Sequence, residues 1–512
     1  MLVKTSLIKR ACNYISLALI SALSVACSSI SSSGKNFEVE GHSLTGSELH
    51  LGPFGKPQPV ANVTRGSKAI ESGAGLIGKA LVMDPLVRPF STIKAFYGVT
   101  LKSAGGFFER TFIEKVRMPK LENKPVPELS DTAAMDLEAW ENQLDELTSR
   151  QSSSGRIRLL VDGDEYFSRL FSSIATAEES IDIRTYIYDN DDVALEVADL
   201  LLARSDEVEI KILVDGLADL FATRLDSSSM PGDTILPASM SQYLTHASKI
   251  DFRKQSNPWF TGDHAKITVI DQNLAFLGGM NIGREYRYDW HDLMMEVDGP
   301  IVRQLQYEFD QAWAKSGWMG DFAWLITAMK GYEIDTSGEG YPIRILSTSI
   351  HDSELYRVQL AAIRRARNHI YIENAYFSDD KILFELARAR RRGVDVRVIL
   401  ASHGDSGILN LSNQKAINTM LRNGIRVYSY PGMTHVKAAV YDGWACLGSA
   451  NFDKLSLQVN QEINLGTSHP GFVAELMERV FYPDFENSLE IRKPLPMMIR
   501  HHFAELIADE FL

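Results

Sequence analysis

The sequence predicts an α/β protein made of two tandem, duplicated domains, each with a central, mostly buried β-sheet flanked by helices. Two observations predict this fold. In both halves strands alternate with helices, which is typical of α/β layers around a buried sheet. The pattern His-x-Lys-x4-Asp also occurs twice, as His264/Lys266/Asp271 and as His435/Lys437/Asp442. Because both copies keep the same internal order, we expect one active site at the interface of the two domains.

The repeat extends to three pairs of short apolar runs rich in Val and Ile. Residues 157–160 of the first half correspond to 343–346 of the second, 180–183 correspond to 369–372, and 207–213 correspond to 393–399. Each half is predicted to run strand, helix, strand, helix, strand, because apolar residues at helical spacing separate the runs, as in 381–390. Residues 218–260 are predicted to be an irregular insertion in the first half.

Composition limits the class of protein. The chain has 512 residues, of which 45% are hydrophobic and 23% charged, and its formal net charge is −13. This is enough apolar material for two to four packed domains. An acidic chain is a poor partner for nucleic acid. We find no dense cluster of Cys, His and carboxylates with metal-ligand spacing, so we expect no metal and no cofactor. The internal duplication also removes the usual need for a dimer, and we expect a monomer.

Residues 1–26 have the pattern of an export signal. A positively charged start precedes a short, Ser-rich apolar stretch that is a poor membrane span. The stretch ends in Leu23-Ser-Val-Ala-Cys27, which resembles a bacterial lipoprotein signal, and that resemblance implies lipidation of Cys27. We therefore expect a lipoprotein of the bacterial cell envelope, held in the outer membrane and facing the periplasm. Simple cleavage after Ala26 and a retained anchor are the alternatives.

We divide the rest of the chain by composition and pattern. The predicted parts are a tether and N-terminal helical region at 27–130, a first domain at 131–320, a linker at 321–341, a second domain at 342–490 and a C-terminal helix at 491–512. Asp131 is a plausible N-cap for the first helix of the first domain. Helices within 66–125 are expected to pack on the catalytic domain, with a position on a membrane as the alternative.

The motif residues suit chemistry on a phosphodiester. Residues two apart on a strand share a face, so His264 and Lys266 should point to one spot, as should His435 and Lys437. A lysine neutralises nonbridging phosphate oxygens, while a histidine attacks phosphorus or protonates the leaving oxygen. Two histidines, one from each half, can supply both roles.

Two carboxylates are candidates for orienting the histidine rings. Asp292 lies 28 residues after His264, and Glu462 lies 27 residues after His435. A carboxylate that accepts from Nδ1–H leaves Nε2 unprotonated and aimed at substrate.

Other polar residues of the motifs are candidates for support. Each motif leads through a Gly-rich turn to an asparagine, Asn281 or Asn451, and these, with Ser449, are expected to help hold the phosphate. Asp271 and Asp442 end their strands and are expected to hold the Gly-rich turns.

These motifs resemble the phospholipase D superfamily, and within it the bacterial cardiolipin-synthase-like branch, over roughly residues 131–490. The runs that carry the resemblance are His264-Ala-Lys-Ile-Thr-Val-Ile-Asp271, Gly278-Gly-Met-Asn-Ile-Gly-Arg-Glu-Tyr286, Trp290-His-Asp-Leu-Met-Met-Glu-Val-Asp-Gly-Pro300, Glu373-Asn-Ala-Tyr-Phe377 and Gly448-Ser-Ala-Asn-Phe-Asp453. The resemblance implies catalytic roles for the His, Lys and Asp of both motifs. It also implies a phosphohistidine intermediate, with His264 as nucleophile and His435 as acid and then base, in an assignment that can be reversed. Gly279 departs from the pattern, because many members have the serine seen at Ser449.

The sequence thus predicts a membrane-tethered enzyme that moves a phosphatidyl group from a glycerophospholipid to an alcohol or lipid acceptor, or to water, without a metal. One alternative is a periplasmic nuclease or other phosphodiesterase of the same superfamily. Another is a non-catalytic lipid-binding protein of the envelope.

Overall fold

A computed structural model describes residues 49–51, 57–59, 84–216, 218, 229–231, 235–255, 261–332, 338–404 and 407–496. The predicted signal 1–26, Cys27 and residues 497–512 of the predicted C-terminal helix lie outside the described residues. Residues 492–496 are not helical. Within the described ranges, no helix is long and apolar enough to cross a bilayer.

The described residues of the N-terminal region are mainly helical. Its elements are β1 Leu49–Leu51, β2 Pro57–Pro59, α1 Asp84–Val87, α2 Pro89–Phe112, a π-helical turn Ile113–Arg117, α3 Met118–Glu122 and α4 Leu137–Leu147. The N-cap of α4 is Asp136, which accepts from the Ala139 amide at 3.1 Å, rather than Asp131.

Helix α4 packs on the second half of the chain, although we predicted it to open the first domain. Trp140 meets Trp444 edge-on with ring centroids 5.2 Å apart, and Leu144 is buried in the same core. Sequence order does not reveal this placement, because α4 crosses to its partner through an extended segment.

The first half follows the predicted alternation. Its elements are β3 Ser153–Val161, α5 Asp162–Thr176, β4 Ser180–Thr185, α6 Asp192–Arg204, β5 Glu209–Val214, α7 Met240–Thr245, β6 Asp251–Lys254, β7 Ile267–Ile270, β8 Leu274–Gly278, a π-helical turn Glu285–Asp289, β9 Leu293–Asp298 and α8 Ile301–Ser316. The predicted irregular insertion therefore contains regular structure. Strand β6 continues the sheet parallel to β5.

The second half repeats this order after a helix in the predicted linker. The elements are α9 Asp321–Lys330, β10 Tyr341–Thr348, α10 Glu354–Arg365, β11 His369–Asn374, α11 Asp380–Arg390, β12 Asp395–Ala401, α12 Gly407–Arg422, β13 Arg426–Tyr430, β14 Lys437–Tyr441, β15 Trp444–Gly448, α13 Lys454–Gln458, β16 Glu462–Thr467, α14 Pro470–Leu476, a π-helical turn Met477–Phe481, α15 Tyr482–Asn487 and β17 Leu489–Ile491.

The strands of both halves form one continuous sheet of 15 strands. Their order is β17-β13-β12-β11-β14-β15-β16-β10-β3-β9-β8-β7-β4-β5-β6. Apart from the edge strand β17, the order of the second half mirrors that of the first, and the halves join where β10 pairs with β3. The predicted fold of two tandem α/β domains is confirmed, and the duplication gives the molecule an approximate twofold symmetry.

Both faces of the sheet are covered. One apolar core joins the halves, because Ile157 and Val269 of the first half belong to the same cluster as Val436 and Leu465 of the second. The opposite face has a separate core in each half. The shared core fixes the two histidine motifs relative to each other.

Candidate active site

Each motif histidine lies just before its strand and is hydrogen-bonded to the other half. We predicted that the strands would include the histidines, but β7 begins at Ile267 and β14 at Lys437. The amide of His264 instead donates to the Gln461 carbonyl at 2.9 Å, and the amide of His435 donates to the His291 carbonyl at 2.6 Å. These bonds bring both motifs to the interface of the halves.

The two candidate orienting carboxylates are exchanged between the halves. His264 Nδ1 lies 3.0 Å from Glu462 Oε1, and His435 Nδ1 lies 2.7 Å from Asp292 Oδ2. Both carboxylates are fully buried. Each histidine therefore takes its carboxylate from the opposite half. The sequence spacing identified the carboxylates but could not reveal this crossed pairing.

The two motif lysines are buried and turn back toward their own histidines. Lys266 Nζ donates to the His264 carbonyl at 2.8 Å, and Lys437 Nζ donates to the His435 carbonyl at 2.7 Å. Burial lowers the pKa of Lys266 to about 7, and the charge of Lys437 adds to the effect although Glu462 opposes it. The ammonium groups of Lys266 and Lys437 thus lie close enough to repel each other, and an anion bound between them would relieve this repulsion.

Both imidazoles are neutral near pH 7. Burial lowers the pKa of His435 to about 4, with Lys437 lowering it further and Asp292 opposing. Burial also lowers the pKa of His264, against the pull of Glu462. Nδ1–H donates to the carboxylate in each case, so each Nε2 keeps its lone pair.

Aromatic rings form the walls beside the histidines. Tyr186 meets His264 edge-on with ring centroids 4.7 Å apart. Tyr286 and Trp290 lie against His435 at 5.7 and 5.2 Å. The position of these rings was not predicted from the sequence, although Trp290 follows the first motif closely and Tyr186 follows β4, the neighbour of β7. These rings pack against the imidazoles and contribute to their burial.

Asn281 supports a loop of the first half. Its Oδ1 accepts from the Ile187 amide at 3.1 Å, and its Nδ2 donates to the Tyr286 hydroxyl at 2.7 Å. Asn451, its counterpart, is also buried, and its Oδ1 has no hydrogen-bond partner among the described residues. The two asparagines therefore differ in the contacts they make.

Ser449 and Gly279 occupy matching positions with different consequences. Ser449 Oγ donates to Glu462 Oε2 at 2.6 Å and accepts from the Ile463 amide at 3.0 Å. A Cβ added at Gly279 would lie only 2.1 Å from Asp292 Oδ1. The first half lacks the serine because the carboxylate of Asp292 fills the space that a side chain would need.

Asp271 and Asp442 hold loops at the far ends of their strands. We expected them to hold the Gly-rich turns, and this prediction was wrong. Asp271 accepts from the amides of Glu178, Glu179 and Ser180, the residues that lead into β4. Burial alone would raise the pKa of Asp271, but these amides outweigh it and lower the pKa.

Asp442 has the same role in the second half, where its carboxylate accepts hydrogen bonds from the amides of Met135, Asn368 and His369. Five residues of strand, about 16 Å, separate Lys437 from Asp442. The structure thus places both aspartates away from the histidines.

A buried ion pair braces the first motif. Arg184 Nη2 lies 2.6 Å from Asp263 Oδ1, and the same guanidinium donates to Gln461. Asp263 directly precedes His264, so the ion pair fixes the backbone that carries the imidazole.

A histidine and carboxylates brace the second motif. His291 Nδ1 lies 2.7 Å from Asp162 Oδ1, and its Nε2 lies 3.1 Å from Asp484 Oδ2. Burial alone would lower the pKa of His291, but Asp162 and Asp484 outweigh it and raise the pKa to about 11. Neither brace was predicted from the sequence, because the residues of each brace are far apart in the chain.

Comparison with known proteins places the chain in a family. The family described as "Cardiolipin synthase, PLD-like domain" matches residues 170–313 and 360–482. Cardiolipin synthase B of Escherichia coli (strain K12) is 30% identical over 326 residues, which are 60% of this chain and 76% of that protein. Cardiolipin synthase A of Pseudomonas putida is 29% identical over 360 residues, 66% of this chain and 70% of that protein.

A solved structure supports the fold. The crystal structure of phosphatidylserine synthase from Haemophilus influenzae aligns with a TM-score of 0.56 at 13% identity, over 73% of this chain and 97% of that one. Each of the two matched segments, 170–313 and 360–482, contains one copy of the histidine motif. The chain belongs to the phospholipase D superfamily, as a cardiolipin-synthase-like member with two PLD-like domains.

Proposed function

We propose that this protein transfers a phosphatidyl group from a glycerophospholipid to an alcohol or lipid acceptor, or to water. The observation that carries this proposal is the pair of neutral imidazoles, each held at Nδ1 by a carboxylate of the opposite half, beside two buried lysines. The names of the relatives suggest the lipid substrate, since both are cardiolipin synthases.

In the first step, we assign the attack on phosphorus to His264 Nε2. A P–N bond forms while the P–O bond to the headgroup alcohol breaks, and His435 Nε2–H gives its proton to the leaving oxygen. Because His435 is neutral in the empty site, its Nε2 takes up a proton from solvent when substrate binds, since the negative charge of the substrate raises the pKa of the imidazole. Lys266 and Lys437 balance the charge of the nonbridging oxygens.

In the second step, an acceptor hydroxyl attacks the phosphohistidine. Its proton passes to His435, a P–O bond forms and the P–N bond to His264 breaks. Release of the product and loss of that proton to solvent restore the resting site. In this scheme no metal takes part in the chemistry, since the lysines supply the positive charge. Tyr186 and Trp290 limit the entry of water, which favours transfer to an alcohol over hydrolysis.

Analysis of lipid products by mass spectrometry tests the proposal. Purified protein is incubated with phosphatidylglycerol vesicles, with and without added glycerol, and separately with plasmid DNA in EDTA. We expect new phosphatidyl products whose headgroup follows the added alcohol. Nicking of plasmid without lipid turnover would favour the nuclease alternative, and the absence of both activities would favour a non-catalytic lipid-binding protein.

Substitution of the histidines tests their roles. His264→Ala and His435→Ala should each reduce turnover by about 10³-fold or more, because each removes a proton-transfer or nucleophilic group. His246→Ala, at an exposed histidine, is the matched control. If our assignment holds, labelled lipid can form a phosphohistidine in His435→Ala but not in His264→Ala. The reverse result would exchange the two roles.

We also propose that helix α2 holds the protein against a lipid bilayer. Its buried side faces the body of the protein, where Lys102 donates to Ser353 Oγ at 2.7 Å. The other side is a stripe of large apolar residues at helical spacing, each more than half exposed: Phe90, Ile93, Tyr97, Leu101, Phe108 and Phe112. Leu86 of α1, also exposed, directly precedes this stripe. Helix α9 packs beside α2 and extends the stripe with exposed Phe322 and Met329. An apolar surface of this kind is typical of an interfacial helix.

Vesicle flotation tests the membrane contact. Replacing Phe90 and Phe108 by Ser together should weaken vesicle binding by about tenfold or more, since a buried phenylalanine contributes about 1.5–3 kcal/mol. The control is Leu489→Ser, at an equally exposed position on the edge strand β17. Equal loss in the control, or no loss in the double variant, would exclude this surface as the contact.

For the N-terminus, we propose lipidation at Cys27 and a position in the outer membrane facing the periplasm. The lipobox-like Leu23-Ser-Val-Ala-Cys27 supports this, and a lipid on Cys27 would act together with the apolar stripe of α2 to hold the protein on the bilayer. Metabolic labelling with a fatty acid should mark the full chain but not Cys27→Ser, and fractionation should place the labelled protein in the outer membrane. Labelling of the variant would argue against lipidation at Cys27.

A further inference from the structure

A second group of convergent polar side chains lies behind His435, outside the pair of catalytic histidines. His291, Glu373 and Asp484 bring one donor atom each to within 4.8 Å of one another. His291 Nε2 is 3.1 Å from Asp484 Oδ2 and 4.0 Å from Glu373 Oε1. The residues come from the β8–β9 connection, β11 and α15, so that only the tertiary fold assembles them.

The approximate twofold symmetry gives this group a natural comparison. Arg184 pairs with Ile267 across β4 and β7, and Glu373 pairs with Ala438 across β11 and β14. Each partner is the third residue after a motif histidine, so Arg184 and Glu373 occupy equivalent positions. The first half thus has a buried cation that neutralises Asp263, where the second half has a buried carboxylate.

The second half lacks a matching cation among the described residues. No lysine or arginine described in the structure is ion-paired with Glu373, Asp484 or Asp162, and each of the three has His291 as its ion-pair partner. Three carboxylates with one imidazole leave an excess of negative charge, and two of the carboxylates are buried. Buried charge without a partner is strongly unfavourable.

Glu373 also has an unsatisfied atom in this group. Its Oε1 accepts from Thr434 Oγ1 at 2.5 Å, but its Oε2 is buried with no hydrogen-bond partner among the described residues. Asp484 lies within hydrogen-bonding reach of Glu373, and two buried carboxyl groups this close cannot both be ionised unless a cation lies between them. The space between them therefore calls for a proton or a cation.

We propose that His291, Glu373 and Asp484 bind one divalent transition-metal ion, with Zn²⁺ as the best match. One imidazole and two carboxylates suit Zn²⁺ or Mn²⁺ better than Mg²⁺ or Ca²⁺, which prefer oxygen ligands alone. Zn²⁺–ligand bonds of about 2.0–2.2 Å place the donor atoms of a tetrahedral site about 3.3–3.6 Å apart, so each donor atom needs to move by less than about 1 Å.

The surroundings of His291 fit the second shell of a metal site. Its Nδ1–H donates to Asp162, so a metal on Nε2 would complete a carboxylate–histidine–metal arrangement. Tyr430 stacks on the imidazole with ring planes 14° apart, which fixes the ring. The Asp162 side chain is 52% exposed and gives the group a route to solvent. Binding would exchange the Nε2 proton for the metal, and a water can complete the coordination.

The ion would hold the backbone beneath the second motif. The His291 carbonyl accepts from the His435 amide, and the His291 amide donates to the Met433 carbonyl. Thr434, which bonds Glu373, lies between Met433 and His435. The metal would thus have the same bracing role as Arg184 in the first half, away from the phosphodiester chemistry.

Metal content and thermal stability test the proposal. The full-length protein is stripped with EDTA, titrated with ZnCl₂, and assayed by elemental mass spectrometry and by thermal unfolding. We expect about one Zn²⁺ per chain and a higher Tm on loading, because an ion that binds only the folded state stabilises it. Glu373→Gln and Asp484→Asn should each lose the ion at micromolar Zn²⁺, and Asp162→Asn should weaken binding about 10- to 100-fold.

The controls separate this site from adventitious binding. His246→Gln removes an exposed histidine and should keep both the ion and the Tm shift. Equal Zn²⁺ content in Glu373→Gln, Asp484→Asn and the parent protein would overturn the proposal. Folded parent protein that binds no Zn²⁺ would do the same and would leave His291 as an imidazolium between two carboxylates. Neither readout measures lipid turnover, so this inference can fail while the proposed function stands.

Discussion

The two halves share a backbone plan but hold their histidines with different side chains. In the first half, His264 is held by Glu462, which also accepts from Ser449, and the brace behind it is the Arg184–Asp263 ion pair. In the second, His435 is held by Asp292, which lies over Gly279.

The comparison teaches that the duplication preserved what positions the two imidazoles and changed what surrounds them. The bridging amides, the lysine contacts and the loop-holding aspartates recur at equivalent positions. The carboxylates differ in length, and the braces differ in charge. A site with similar geometry but unequal surroundings can give its two histidines different tasks.

The largest expected effect comes from breaking the crossed pairing. Asp292→Asn and Glu462→Gln should each lower turnover by about 10²–10⁴-fold, because the amide no longer fixes the tautomer or stabilises an imidazolium. Each substitution lies in one half but should impair the histidine of the other. Pre-steady-state assays should show loss of phosphohistidine formation in Glu462→Gln under our assignment. Near-normal turnover in either variant would contradict the orienting role.

The next largest effect comes from breaking the Arg184–Asp263 ion pair, which braces the first motif. Arg184→Met leaves Asp263 buried without its cation and should lower the free energy of unfolding by about 3–5 kcal/mol. Removing both charges in Arg184→Met/Asp263→Leu should restore a large part of that loss. The control is Arg156→Met at an exposed pair with Asp298, where about 0–1 kcal/mol is expected. Chemical denaturation gives these values, and equal losses at both arginines would remove the distinction.

A smaller effect tests the Gly279–Asp292 contact. Gly279→Ser forces a side chain against Asp292 and should cost about 1–3 kcal/mol of stability. Adding Asp292→Glu copies the Ser449–Glu462 pair, because the longer side chain carries its carboxylate away from the Cβ. We therefore expect Gly279→Ser/Asp292→Glu to be more stable than Gly279→Ser alone, as a double-mutant cycle by denaturation can measure. Additive losses would mean that the two positions are not coupled.

The smallest effect is a pH dependence. The pKa of Lys266 is lowered to about 7, so its positive charge is present below that pH and is lost above it. We expect kcat/KM for an anionic lipid to fall by up to about tenfold per pH unit above pH 7, since kcat/KM reports the free enzyme. Lys266→Arg stays charged and should move this fall to higher pH. Lys249→Arg, at an exposed lysine, should leave the profile unchanged.

Much of the fold could be predicted because the repeated runs carry clear periodicity. The strands at 180–185 and 369–374 were found within two residues of their ends. The fourth repeated strand, β6, was missed because an irregular stretch precedes it and it has only four residues. The placement of α4 was missed because its apolar stripe fits any apolar surface, and only Trp444 and its neighbours select the second half.

The sequence by itself determined the duplication, the identity of the histidines, lysines and carboxylates, and the family. Residue type and local spacing are enough for these, since strand alternation and motif order are properties of short segments. Only the tertiary structure decided that Glu462 serves His264 and Asp292 serves His435, that Asp271 and Asp442 hold loops, and that His291, Glu373 and Asp484 meet. Those contacts cross the interface or join distant strands, and their partners depend on how the two halves of the sheet pack against each other.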